Sequence, residues 1–266
     1  MINTSLIRLS ALAVLVLAGC GKQDAPPATT AASAPPASQR VYVVGTDAAY
    51  APFESQNEKG EIVGFDIDIV NAVAQKANLS VKFVNTPWEG IFNALAQGDR
   101  DLLVSSITIT DERKQTMDFT EPYFDAKQLI AVKAESKVAR FEDLKALKVG
   151  VQNGTTGDEA VSKLQGKTST KIVRFESTPL ALKELEAGGV EAVVADNGVV
   201  INYVANNGAA QFKTVNDAAF VPEHYGIAVR KGNTELLAKL NKGLADIKAD
   251  GTYDRIYAKY LGSASK

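Results

Sequence analysis

From Val41 onward the chain alternates between two patterns. Short aliphatic and β-branched runs (VYVVGTD, VKFVN, DLLVSSI) are separated by stretches with apolar residues at helical spacing (DIDIVNAVAQKA, EGIFNALAQG). Strands separated by helices of this length predict parallel βαβ units with helices on both faces of a sheet. The same grammar restarts after QLIAVKA. FEDLKAL, GDEAVSKL, TPLALKELEAGG and GVVINYVANNG read as helices, and KVGVQN, KIVRFES and EAVVAD as strands. The chain is therefore expected to hold two α/β units of similar size, related by architecture and not by a residue-level repeat. After YGIAVRK, Leu236, Leu237, Leu240, Leu244 and Ile247 mark one face of a long helix. Gly251 breaks it, and Tyr253, Ile256, Tyr257 and Tyr260 follow at spacings that predict packing.

The N-terminus has a different pattern. Residues 1–19 carry one basic group, Arg8, and an apolar run from Leu9 to Ala18 that is short for a bilayer span. That is the layout of an export signal. Its end, Leu17-Ala18-Gly19-Cys20, resembles the bacterial lipoprotein signal, in which the cysteine receives lipid and becomes the mature N-terminus. Cys20 is the only cysteine of the chain, so a disulfide within it is excluded. Residues 20–40, rich in Pro, Ala, Ser and Thr, have little to bury and are expected to form a disordered tether.

The 266 residues are 45% hydrophobic and 23% charged, a globular composition, and the formal charge of -2 argues against a nucleic-acid partner or an anionic membrane surface. Membrane contact is expected only through the lipid on Cys20.

Open α/β sheets bind ligands beyond the carboxyl ends of their strands. The groups that follow the predicted strands there are chemically lopsided. They comprise one guanidinium (Arg113), two carboxylates (Asp47, Asp196), a set of hydroxyls (Ser105, Ser106, Thr108, Thr155, Thr156) and two aromatics (Tyr50, Trp88). An arginine fork matches a carboxylate, helix N-terminal amides add donors, and an aspartate receives an ammonium group. Together these suit a free α-amino acid, with the aromatics flanking its side chain. Singly, each has a plainer use. Thr155-Thr156-Gly157 reads as a helix cap, Asp47 and Asp196 as turn residues, and Arg113 as a surface partner of Asp111 or Glu112.

Competing chemistries lack their residues. His224 has no cysteine nucleophile, no phosphate loop or nucleophile elbow stands at a strand end, and no metal-ligand cluster is visible, so neither cofactor nor metal is expected. Asp66 reads as the cap of the helix that follows it, and His224 as a structural residue where the chain crosses between units.

GTDAAYAPFES, GEIVGFDIDIVNAVA, DLLVSSITITDERKQTMDFTEPY, VGVQNGTTGDE, VEAVVADN and ADGTYDRIYAKYL, in that order, resemble the bacterial extracellular solute-binding proteins of family 3, the polar amino-acid type. The resemblance implies a two-lobed type II periplasmic binding protein fold. Each lobe would be a mostly parallel sheet flanked by helices, the two joined by hinge strands near 123–127 and 221–225. Lobe 1 would span 41–124 plus 225–266 and lobe 2 128–221. It further implies a monomeric, non-enzymatic receptor outside the cytoplasmic membrane that delivers an amino acid to an ABC permease and its ATPase. By position, Arg113 resembles the α-carboxylate clamp, assisted by Thr108 and by the hydroxyl and amide of Thr156. Asp196 resembles the α-ammonium partner, with the Ser106 carbonyl. Asp47, and Ser105 beside it, would meet the distal end of a side chain sandwiched by Tyr50 and Trp88.

Asp47 favours a basic ligand (arginine, lysine, ornithine or histidine), because a desolvated charge needs a partner. Glutamine is the alternative. Glutamine-binding relatives resemble this chain at the matching aspartate and arginine, but have a lysine at the place of Gln152. A dehydratase acting on a small carboxylated ring, with Asp47, Asp196 or Glu89 as its acid or base, and a sensory lipoprotein on the same fold are the other readings.

Overall fold

The computed structural model describes residues 40–262. The expected export signal, Cys20 and the expected tether up to residue 39 lie outside the described residues. The first stretch runs Val41–Thr46 (β1), Ala49–Tyr50 (β2), Glu54–Gln56 (β3), Ile62–Val63 (β4), Phe65–Lys76 (α1), Ser80–Asn85 (β5), Trp88–Gln97 (α2), Leu102–Leu103 (β6), Asp111–Thr116 (α3) and Met117–Phe119 (β7). Phe124–Ala126 (β8) leads out of it. The second stretch is Gln128–Lys133 (β9), a 3-10 turn at Phe141–Ala146, Val149–Gln152 (β10), Thr156–Gln165 (α4), Ile172–Phe175 (β11), Thr178–Ala187 (α5), Ala192–Asp196 (β12), Asn197–Asn206 (α6) and Phe212–Val215 (β13). Glu223–Tyr225 (β14) leads back to Ala228–Arg230 (β15), Thr234–Ala249 (α7) and Thr252–Leu261 (α8).

Two five-stranded sheets result, ordered β5-β1-β6-β15-β7 and β11-β10-β12-β9-β13. In each, the second strand in the order pairs in parallel with both neighbours, and the fourth runs antiparallel to the third and the fifth. The repeated order is the architectural duplication expected from the sequence. β8 and β14 pair with each other, antiparallel, and join the lobes as hinge strands.

The first core is fully buried at Val44, Phe65, Ile69, Leu102 and Leu240, and is roofed by Tyr253, Ile256, Tyr257 and Tyr260. Each such large apolar side chain contributes about 1.5–3 kcal/mol on burial. Helix α7 comes close to α1 because position 243 is glycine, where a Cβ would stand 2.6 Å from the Val73 carbonyl oxygen. The tyrosines of α8 act in packing, as expected: Tyr257 packs on Phe65, and Tyr253 donates to the Tyr123 carbonyl at 2.7 Å. Among the described residues no helix is long and apolar enough to cross a membrane.

Three local expectations change. DLLVSSI gives regular strand only at Leu102–Leu103, because Ser106 takes a left-handed backbone (φ 48°) that no ladder accommodates. FEDLKAL forms a 3-10 turn whose first N–H is tied to Asp217 at 2.7 Å, and so short a segment gains little from α-helical bonding. Asp66 caps nothing. Gly64 occupies the N-cap, and the buried Asp66 carboxylate accepts from Ser106 N and Tyr123 OH, each at 2.7 Å.

Candidate functional site

Every ligand-binding residue expected from the sequence lines one cavity between the sheets. From the first lobe come Asp47, Tyr50, Trp88, Ser105, Ser106, Thr108 and Arg113. The second lobe brings Thr156 and Asp196, together with Gln152 and Thr155.

Parallel strands stop at this edge, so the residues just past β1, β6, β10 and β12 meet there. The helix α4 starts at the same place with a reciprocal cap. Thr155 Oγ1 accepts from Asp158 N at 3.2 Å, and Asp158 Oδ2 accepts from Gly154 N at 3.1 Å. Arg174 holds the buried Asp158 through an ion pair of 2.9 Å, which fixes the α4 N-terminus at the cleft. Gly157 is needed for the same approach. A Cβ there would lie 2.9 Å from Gln128 Oε1 and 3.0 Å from the Val194 carbonyl.

Arg113 makes no ion pair with Asp111 or Glu112. Its Nη1 donates to the Thr108 carbonyl at 2.9 Å, and its guanidinium lies 5.3 Å from the Trp88 ring centre and 5.2 Å from that of Phe92. Stacked, half-buried and with most of its five N–H donors unspent, it is shaped for an anion in the cleft. Burial lowers its pKa, against which Glu159, Asp196 and Glu223 act.

Asp47 faces Gln152, whose Nε2 donates to its Oδ2 at 3.2 Å. The same amide is pinned by Thr178 Oγ1 donating to Oε1 at 3.0 Å. No lysine or arginine pairs with Asp47 among the described residues. Burial raises its pKa, while the bonds from Gln152 and the Trp88 backbone lower it.

Asp196 is more enclosed. Tyr50 OH and Tyr225 OH donate to Oδ2 at 2.9 and 2.6 Å, and Gln128 Nε2 donates to Oδ1. Burial, and then the charge of Glu223, raises its pKa to about 6. Tyr50 thus contributes its hydroxyl as well as its ring, bridging the lobes at Asp196.

Five groups around the cleft escape the strand-end reading: Glu54, Asp66, Gln128, Glu223 and Tyr225. Glu54 is fully buried and accepts from Ser105 Oγ at 3.1 Å and Ser106 Oγ at 3.4 Å. Burial, and next the Asp66 carboxylate beside it, pushes its pKa well up, and burial raises Asp66 to about 6. Gln128 opens β9 and sits opposite Asp196 in the ladder. Because β9 is antiparallel, its beginning lies where its parallel neighbours end. Glu223 and Tyr225 arrive on β14, in the segment expected to be a hinge only. His224, between them, is exposed and meets Asp125 on β8 at 2.7 Å, which is the structural place expected for it.

Residues 42–263 match the family model of bacterial extracellular solute-binding proteins, family 3. A probable histidine-binding protein of Neisseria gonorrhoeae is 46% identical, the alignment covering 97% of this chain and 95% of that protein. The L-arginine-binding protein of Pseudomonas aeruginosa is 35% identical over 82% of this chain and 86% of its own length. Among solved structures, the arginine-, lysine-, histidine-binding protein ArtJ of Geobacillus stearothermophilus superposes with a TM-score of 0.82 at 44% identity, covering 85% of this chain and 97% of that one. The chain belongs to the bacterial extracellular solute-binding proteins of family 3.

Proposed function

We propose that this protein is the substrate-binding component of an ABC importer and that it captures a free basic amino acid between its lobes. The observation that carries the reading is Asp47, a carboxylate on the cavity wall with a neutral amide, and no protein cation, as its side-chain partner. A ligand ammonium, guanidinium or imidazolium supplies the missing charge. Arg113 receives the α-carboxylate and Asp196 the α-ammonium group, with Ser105, Ser106, Thr108 and Thr156 completing the polar wall and Tyr50 and Trp88 flanking the side chain. Relatives described as histidine- and arginine-binding proteins support the same ligand class.

The chain acts as a receptor, not as an enzyme, and as a monomer. Its lobes correspond to 41–124 plus 225–266 and to 128–221. Export by the N-terminal signal and acylation of Cys20 would hold it at the cell envelope, within reach of a permease and its ATPase.

Titration calorimetry with the twenty standard amino acids and ornithine tests the reading. Arginine, lysine, ornithine or histidine should bind more tightly than glutamine. Binding of glutamine alone would replace the ligand assigned here.

A further inference from the structure

Glu223 belongs to none of the parts assigned above. It lies half-buried on the hinge strand β14, outside the cavity lining and directly behind two residues that belong to it. Thr108 Oγ1, from the first lobe, donates to Glu223 Oε2 at 2.7 Å. Thr156 Oγ1, at the start of α4 in the second lobe, donates to the same oxygen at 2.8 Å. Gln128 Nε2 donates to Glu223 Oε1 at 3.1 Å and also to Asp196 Oδ1.

A threonine hydroxyl has one proton and two lone pairs, whereas a carboxylate has no proton to give. The protons of both threonines are therefore committed to Glu223. What these oxygens present to the cleft is acceptor character only. An acceptor oxygen repels a ligand carboxylate and welcomes an N–H donor. The Gln128 amide, meanwhile, ties Glu223 to Asp196, so that two carboxylates share one donor on the same side of the cleft.

We propose that Glu223 is a positioning residue for the ligand's α-ammonium group: it turns the Thr108 and Thr156 hydroxyls into acceptors and joins Asp196 as one anionic pole. The Thr156 hydroxyl is thereby assigned to the ammonium group, and the α-carboxylate is left to Arg113 and the amides at the start of α4. This rests on the amino-acid reading of the cleft.

The test separates the α-ammonium group from the rest of the ligand. L-Arginine and 5-guanidinopentanoate share the guanidinium and the carboxylate and differ in the α-ammonium group. Calorimetry, with displacement of arginine for the weaker ligand, is run on the wild type, Glu223→Gln and Glu223→Asp. Glu223→Gln should weaken arginine about tenfold and leave 5-guanidinopentanoate within about twofold, so the preference falls about tenfold. Glu223→Asp, which keeps the charge, should restore much of it. Equal weakening of both ligands, or an unchanged preference, overturns the proposal while wild-type arginine binding still upholds the ligand class. A wild-type protein that binds no basic amino acid overturns both. Should Glu223→Gln fail to fold, the Thr108→Val/Thr156→Val double variant gives the same readout, and an unaltered preference there is equally fatal.

Discussion

Gln152 joins the lobes at Asp47: its Nε2 donates to Oδ2 across 3.2 Å while Thr178 holds its carbonyl end at 3.0 Å. This bond satisfies Asp47 without neutralising it. Replacement by a cation would do both. Gln152→Lys is expected to weaken arginine binding by about ten- to a hundredfold and to leave glutamine binding unchanged or stronger, because a protein ammonium then competes with that of the ligand. Calorimetry with the two ligands measures the ratio, and a ratio that does not move would remove Asp47 from the specificity argument.

Arg113 should behave differently from Asp47. Every amino acid has an α-carboxylate, so Arg113→Ala should weaken all ligands together, by about 2–5 kcal/mol for a desolvated charge that loses its partner. Asp47→Asn should weaken cationic ligands and spare glutamine. Parallel titrations of both variants, with circular dichroism to show that the fold persists, separate the two roles. Identical ligand profiles would contradict them.

Acid should affect binding and stability in opposite directions. Burial raises Asp196 and Asp66 from the ordinary carboxylate value of 3.8 to about 6. Raised carboxylates bind protons more readily in the folded chain than in the unfolded one. Their contribution to stability is therefore full below about pH 4 and lost as pH rises through about 6. An ammonium ligand, in contrast, needs Asp196 ionised. Between pH 7.5 and pH 5 the ligand affinity should fall by up to about tenfold per unit below 6, while these two groups make the ligand-free protein more stable to urea. Affinity that is flat over this range would show that Asp196 does not receive the ammonium group.

Gly157→Ala tests the close approach of α4 to the second sheet. The added methyl would press on Gln128 Oε1 at 2.9 Å and on the Val194 backbone at 3.0 Å. A loss of about 1–3 kcal/mol of stability is expected, as for other overpacked sites. Arginine affinity should fall as well, since Gln128 links Asp196 with Glu223. Normal affinity in the variant would show that this amide can move without cost to the site.

The cleft was legible in the sequence where parallel strands end, because that edge is set by topology and the residues past β1, β6, β10 and β12 must gather there. Asp47, Arg113, Thr156 and Asp196 were all found by this rule. Gln128 was not, since it precedes its strand; only the antiparallel direction of β9 brings it to the cleft, and direction is not encoded in hydrophobic periodicity. Glu54 and Asp66 stayed hidden for another reason. Asp66, beside a helix start, reads as a cap, and nothing local marks it or Glu54 as a carboxylate driven into the core by partners 57 and 51 residues away along the chain, Tyr123 for Asp66 and Ser105 for Glu54. Ser106 illustrates the same limit in the backbone, for its left-handed conformation is imposed by its surroundings.

The strand order of the first sheet has a consequence for synthesis. All strands of the second sheet lie between residues 128 and 215, on one continuous stretch, and can pair as soon as that stretch has emerged. The first sheet cannot. Its β6 and β7 are held together only by β15, at residues 228–230, so until the last part of the chain arrives they carry open edges. A nascent or truncated chain that stops before Ala228 would have a finished second lobe beside an unfinished first one, and its unpaired edges would be the place where chaperones or other chains attach.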